Sequence, residues 1–206
     1  MATRVFLLRH AESSAPDVFH GAESDVGLSE RGQRQALAVA AILAEKNPHL
    51  VISSAMKRAR DTAGPIACAC GVNLIVEPDL HERRVGALSG TRFGGSDGVW
   101  PDTLRRWIAG ETMYAPEGSE SFEEIRARVL PVWTRITTHH EKKTLVIVAH
   151  GVVCKVLLLS LVKGRSAADW HKIGPMRNAC ITELLENGLG WQVIRLNEGL
   201  PAIASA

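Results

Sequence analysis

The runs VFLLRHAES and TLVIVAHG each contain a short apolar strand that stops at an imidazole, His10 in the first and His150 in the second. The carboxyl ends of parallel strands line the crevice where α/β proteins bind ligands. Two strand-end histidines can therefore meet in one pocket however far apart they lie in sequence. A strand end needs some polar residue, and one such histidine alone can be no more than that. Two of them, with Arg9 beside the first, form a candidate site. A third run, LVISSAMKRARDTA over residues 50–63, breaks from apolar residues into Ser53 and Ser54 and then into a helix. Serines are good N-cap residues, and a helix start offers unpaired N–H groups and the positive end of its dipole to whatever lies at the strand end. Arg58 lies about one turn in, while Lys57 and Arg60 read as a solvated helix face.

The elements that must position these groups alternate as α/β proteins do: strand 4–9, helix 29–46, strand 50–53, helix 54–69, strand 72–76, helix 119–141, strand 144–149 and helix 151–162. The helix at 29 has Ser29 as cap, charged residues in its first turn, and apolar spacing through Ala36, Leu37, Ala40, Ile42 and Leu43. Strands near 178–186 and 190–197 follow, joined at Asn187 and Gly188, which predicts a hairpin and an antiparallel edge. The pattern breaks over residues 84–118. Gly86, Gly90, Gly94, Gly95 and Gly98 precede an apolar-aromatic stretch around Trp100, Leu104, Trp107 and Ile108. This segment is either a lid over the pocket or a glycine-rich surface loop packing its tryptophans on the core. The expected fold is a three-layer α/β/α, doubly wound, mostly parallel sheet with an antiparallel edge and a small cap insertion, all in one domain over residues 1–206. The tail LPAIASA is small, uncharged and expected to fray.

The chain resembles the histidine phosphatase, or phosphoglycerate mutase-like, superfamily, of the branch 1, small-cap phosphatase type. LLRHAES matches its Arg-His signature, LSERGQRQA its first helix, SSAMKRARDTA its second arginine, LHERRVGALSG its catalytic glutamate and VAHG its second histidine. No one of these is specific, whereas five in the family's order are. They span residues 5–151, and RNACITELLE looks like the family's closing strand.

The resemblance implies a phosphomonoester hydrolase acting through a phosphohistidine, with no metal and no cofactor. His10 would be the nucleophile. Arg9 and Arg58 would fork onto phosphate oxygens, and their charge would keep the ring of His10 unprotonated. His150 would be a further phosphate donor. Glu82 would protonate the leaving oxygen and then deprotonate water; the alternative is a surface carboxylate paired with Arg83 or Arg84. The family places its substrate-selecting cap over residues 84–118, which makes Arg83, Arg84, Arg92, Arg105 and Arg106 candidates to meet a second acidic group on the substrate.

Two departures stand out. Ala11 follows the Arg-His pair where the family usually has glycine, a change tolerated if its backbone angles are ordinary. Pro16 stands near a family asparagine and cannot donate, so Ser13, Ser14 or His20 become candidates for that contact. His20 and Gly21 fall where relatives place a loop against the substrate; an ordinary surface loop is the other account of His20.

Composition bounds the partners. At 206 residues, 46% hydrophobic and net charge +2, with no basic tract and few aromatics, the chain offers little to nucleic acid or to a membrane. A small phosphorylated metabolite is the expected partner, and the oligomeric state is open. A signal peptide would consume the strand carrying His10, so a cytoplasmic location is expected, with Cys68, Cys70, Cys154 and Cys180 unpaired. Cys68 and Cys70 read as small buried hydrophobes, and Cys154 as a candidate for the pocket floor. The rival within the fold is a phosphoglycerate mutase, whose cofactor-dependent members have a longer cap. A non-catalytic phospholigand-binding protein is the rival from another class, and it would have no need of Glu82.

Overall fold

Strand β1 (Thr3–Arg9) occupies the middle of the sheet, between a parallel neighbour, β4 (Thr144–Ala149), and an antiparallel one, β5 (Ile181–Glu186). The computed structural model describes residues 2–93 and 98–199. With β2 (Leu50–Ser54), β3 (Leu74–Glu77) and β6 (Trp191–Glu198), the six strands run in the order β3-β2-β4-β1-β5-β6. The first four are parallel, and the β5–β6 hairpin supplies the antiparallel edge. The near-continuous apolar runs of β1 and β4 follow from burial on both faces. Val5 and Leu7 enter one core with Leu145 and Ile147, whereas Phe6 and Leu8 enter the other with Val146 and Val148.

Helices α1 (Glu30–Ala44) and α2 (Lys57–Cys70) cover the second of these faces through Ala36, Val39, Leu43, Ala59, Ala63 and Ile66. On the first face lie α4 (Phe122–His139) and α5 (Gly151–Leu161), with α3 (Val99–Ile108) and the short α6 (Trp170–Ile173) packed on that core through Trp107 and Trp170. The Ser29 side chain caps α1 by accepting from Gly32 N at 2.9 Å. Ser121 and Glu124 close a capping box on α4.

Three local expectations need correction. Helix α2 starts at Lys57 rather than at 54, because Ser53 and Ser54 are still paired to Val76 and Glu77 as the last residues of β2. Leu37 faces solvent while Val39 takes the buried position on α1. Cys68 is exposed and serves no core, whereas Cys70 is half-buried and packs at the edge of the second core; the other two cysteines are buried, and all four are free. Residues 84–118 contain a helix, α3, that appeared in the sequence only as an aromatic-apolar stretch. Gly94, Gly95 and the tail 200–206 lie outside the described residues.

Candidate active site

The loop after β1 and the N-terminus of α5 meet at one end of the sheet, where the rings of His10 and His150 stand 5.1 Å apart between centroids. A cleft of about 510 Å³ opens there. Arg9, His10, Arg58 and Glu82 line it, together with Ser13, Pro16, His20, Gly21 and Arg83.

His10 is buried, and its Nδ1 lies 2.7 Å from the carbonyl of Ala11. A carbonyl can only accept, so Nδ1 carries the proton and Nε2 presents its lone pair. Arg58 Nε donates to that Nε2 at 3.2 Å. Burial, reinforced by the charges of Arg9 and then Arg58, holds His10 well below its ordinary pKa, so the ring is neutral at physiological pH. The carbonyl of His10 accepts from Asn178 Nδ2 at 3.0 Å, and Ala179 N donates to the carbonyl of Arg9 at 3.1 Å. Ala179 adopts φ +53°, left-handed for a residue with a Cβ, at a cost of roughly 1–2 kcal/mol. Ala11, by contrast, keeps a negative φ, and its N–H donates to Thr62 Oγ1 at 2.9 Å.

The two arginines are held differently. Arg58 is 1% exposed, and its outer nitrogens donate to the carbonyls of Ser24 and Gly21 at 2.9 Å each, so part of the fork expected to grip phosphate is bound to the protein itself. Gly21 has φ +58°, and a Cβ there would meet Val85 at 2.5 Å, which fixes glycine at this turn. Arg9 donates through one Nη to Met176 O at 2.8 Å, while its Nε is buried without a partner.

His150 sits behind His10 rather than on the cleft wall. Its Nε2 is 2.8 Å from Ser54 Oγ, and its Nδ1 is buried without a partner. Ser54, read from sequence as a cap for α2, instead bonds this ring and accepts from Met56 N. The first N–H of α2 is already taken by Asp25 at 2.6 Å. The helix start that faces the cleft belongs to α5, through Gly151 and Val152. Burial, followed by the charge of Arg58, lowers the pKa of His150 well below its usual value.

Glu82 is not the surface carboxylate of the alternative account. It lines the cleft, accepting from the backbone N–H of Arg83 at 2.9 Å and more distantly from Val152 N at 3.4 Å. Of the five cap-region arginines, Arg83 alone lines the cleft. Arg84 and Arg92 are exposed, and Arg105 and Arg106 pair with Asp102. Ser13 Oγ lies 3.3 Å from His20 Nε2, which is also 2.8 Å from the carbonyl of Ala15; Ser14 is exposed and off the cleft. Val85, Phe93, Trp100 and Leu104 form the wall contributed by the cap segment. Cys154 lies beneath, with Sγ 3.6 Å from the carbonyl of Leu8, and does not reach the cleft.

Sequence reasoning passed over Lys155. It is 8% exposed, lines the cleft and donates to Trp170 O at 3.2 Å. A charged residue inside the apolar run VVCKVLLL was its only trace in the sequence. Asn178 was likewise noticed only as part of a strand motif. Among the described residues, no group of three or more His, Cys, Asp or Glu is placed to hold a metal ion.

A strand-end histidine pair with two arginines, on a mostly parallel sheet closed by an antiparallel hairpin, defines a class of α/β protein with an anion site at its centre. The chain belongs to the histidine phosphatase superfamily (branch 1), whose model matches residues 5–199. It is 35% identical over 188 residues to a bifunctional protein of Mycobacterium tuberculosis, a match covering 90% of this chain and 51% of that protein. The chain thus spans about half the length of the first curated relatives it matches. A metal-independent phosphoserine phosphatase of Arabidopsis thaliana is 33% identical over 171 residues, covering 80% of this chain and 71% of that one. The solved structure of a mycobacterial glucosyl-3-phosphoglycerate phosphatase superposes with a TM-score of 0.84 at 28% identity, over 97% of this chain and 100% of that chain.

Proposed function

We propose that this chain is a metal-independent phosphatase that hydrolyses small phosphomonoesters through a phosphohistidine on His10. The observation that carries the proposal is the fixed tautomer of His10: Nδ1–H is bound to a carbonyl, and Nε2 keeps its lone pair, which accepts from Arg58 Nε at 3.2 Å until a phosphate draws that donor away, in a cleft that Arg9 and Glu82 share. Nε2 attacks phosphorus, the P–O ester bond breaks, and Glu82 delivers a proton to the departing oxygen. Water then attacks the phosphohistidine, Glu82 takes its proton, the P–N bond breaks, and inorganic phosphate leaves with His10 restored. Arg9 and Arg58 supply donors and positive charge to the equatorial oxygens, which are the main requirement of phosphoryl transfer, and His150, neutral and buried behind His10, is left a hydrogen-bonding role. The start of α5 adds its dipole. Two of the relatives are named for hydrolysing phosphomonoesters, and the cleft has the size of a small-molecule site.

Ser13, His20, Gly21 and Arg83 belong to the substrate side of this proposal, and residues 84–118 act as the cap of a single domain. No helix among the described residues is long and apolar enough to cross a membrane. Four free cysteines favour the cytoplasm as the working compartment.

His10→Ala tests the core of the proposal. It should abolish turnover together with acid-labile, base-stable labelling by a phosphodonor; a label that persists on the variant removes His10 as nucleophile.

A further inference from the structure

The peptide group that joins His10 to Ala11 is held at both edges by side chains remote in sequence. Its carbonyl accepts from Asn178 Nδ2 at 3.0 Å, and its N–H donates to Thr62 Oγ1 at 2.9 Å. Thr62 in turn donates its hydroxyl hydrogen to the carbonyl of Arg58 at 2.8 Å. Arg58 Nε reaches back to His10 Nε2 at 3.2 Å. These contacts close a ring. It runs from the attacking nitrogen through the Arg58 side chain to the backbone of α2, crosses Thr62, and returns along the backbone of the nucleophile. Thr62 lies one turn beyond Arg58 in the run RARDTA, so one short stretch of helix supplies both ends of the ring.

A threonine inside a helix commonly bonds the carbonyl four residues back, and that bond alone would be a local matter. The second bond sets Thr62 apart. Ala11 and Thr62 are both fully buried, and among the described residues the Ala11 N–H has no acceptor besides Thr62 Oγ1. A buried amide is almost never left unpaired, so without the hydroxyl this peptide has to turn toward another partner. Turning it pulls the His10 carbonyl away from Asn178. It also shifts Ala11, whose carbonyl lies 2.7 Å from His10 Nδ1 and fixes the proton there.

We propose that Thr62 and Asn178 are positioning residues of the reaction, which brace the peptide after the nucleophile and so keep His10 Nε2 aimed and in register with Arg58. This rests on the phosphatase reading and deepens it. Neither side chain lines the cleft, so neither holds the substrate. Their effect reaches the chemistry through His10 alone. A residue that grips substrate shows itself in KM, whereas one that aims the attacking atom shows itself in kcat. A residue that only holds the fold together lowers stability and leaves the folded molecules as fast as before.

The test separates the hydroxyl from the shape. Thr62→Val keeps the branched shape and removes the hydroxyl, whereas Thr62→Ser keeps the hydroxyl and loses a methyl. On nitrophenyl phosphate, kcat per folded molecule should fall about 10- to 100-fold in Thr62→Val while KM stays within about 3-fold, and Thr62→Ser should recover most of the loss. A kcat unmoved by Thr62→Val, a loss carried by KM, or an equal loss in Thr62→Ser overturns the brace. If Thr62→Val does not fold, Asn178→Ala, at a half-buried position, decides in its place: kcat falls with KM steady, or the brace is refuted. Should the wild type leave nitrophenyl phosphate untouched, it is the phosphatase reading that fails. The brace is then read from ¹⁵N spectra of His10, which should be held as Nδ1–H in the wild type and appear partly as Nε2–H in Thr62→Val. A tautomer unchanged between the two overturns it.

Discussion

The 2.7 Å contact between His10 Nδ1 and a carbonyl leaves Nε2 as the nitrogen able to attack, and the surrounding burial and charge keep it unprotonated. The pH profile should therefore have its acid limb, measured as kcat/KM on nitrophenyl phosphate, below pH 6.5, the ordinary value for histidine. A limb at or above that value would mean that the neutral ring is not what reacts. The same depression acts on folding. His10 and His150 gain protons more readily in the unfolded chain, so their contribution to stability is present above about pH 6.5 and is lost as the pH falls below it. Urea midpoints measured at pH 7 and pH 5 should fall in that order. Glu82 is tested by leaving groups. Glu82→Gln should cost roughly 10²–10⁴ in rate on an alkyl phosphate and less in the phosphorylation step with nitrophenyl phosphate, whose leaving group needs little protonation. Phosphoenzyme should then accumulate in quenched samples; equal losses on both substrates without accumulation would reduce Glu82 to a positioning residue.

Helix α1 comes unusually close to the loop that follows His10. A Cβ on Gly32 would lie 2.1 Å from the backbone oxygen of Glu12, and backbone cannot move aside as the end of a flexible side chain can. Gly32→Ala should destabilise the fold by roughly 1–3 kcal/mol, as overpacking does, and should lower kcat through the displaced loop; a denaturation midpoint equal to wild type would contradict this. What was legible at this scale was whatever depends on local pattern. Strand β4 and the start of α5 were read to the residue from an apolar run ending in His-Gly, and the Ser29 cap from its own sequence signature. Partnership across the sheet was not legible. Ser53 and Ser54 have the chemistry of caps, but pairing with β3 keeps them in the strand and turns Ser54 toward His150. Lys155 drew no reading because its partner Trp170 lies 15 residues further along the chain. Helix α3 has helical spacing at Trp100, Leu104, Trp107 and Ile108, yet it follows a glycine-rich segment and carries Pro101 in its first turn, a combination that also suits a loop.

Taken whole, the molecule draws its positive charge at the site from arginines and a helix start, so activity on nitrophenyl phosphate should survive EDTA followed by dialysis. A strict requirement for added magnesium or zinc would refute that account. The order of the strands also bears on how the protein is made. The strand leading to His10 precedes the other five in sequence, but it lies between β4 and β5, and the carbonyls of Arg9 and His10 are gripped by Ala179 and Asn178. Such long-range pairings form late and slowly. A nascent chain that has not yet released residues 178–186 carries all five motifs but lacks the strand beside β1 and the donors that hold the carbonyls of Arg9 and His10. The site is therefore expected to stay incomplete until the closing hairpin has left the exit tunnel.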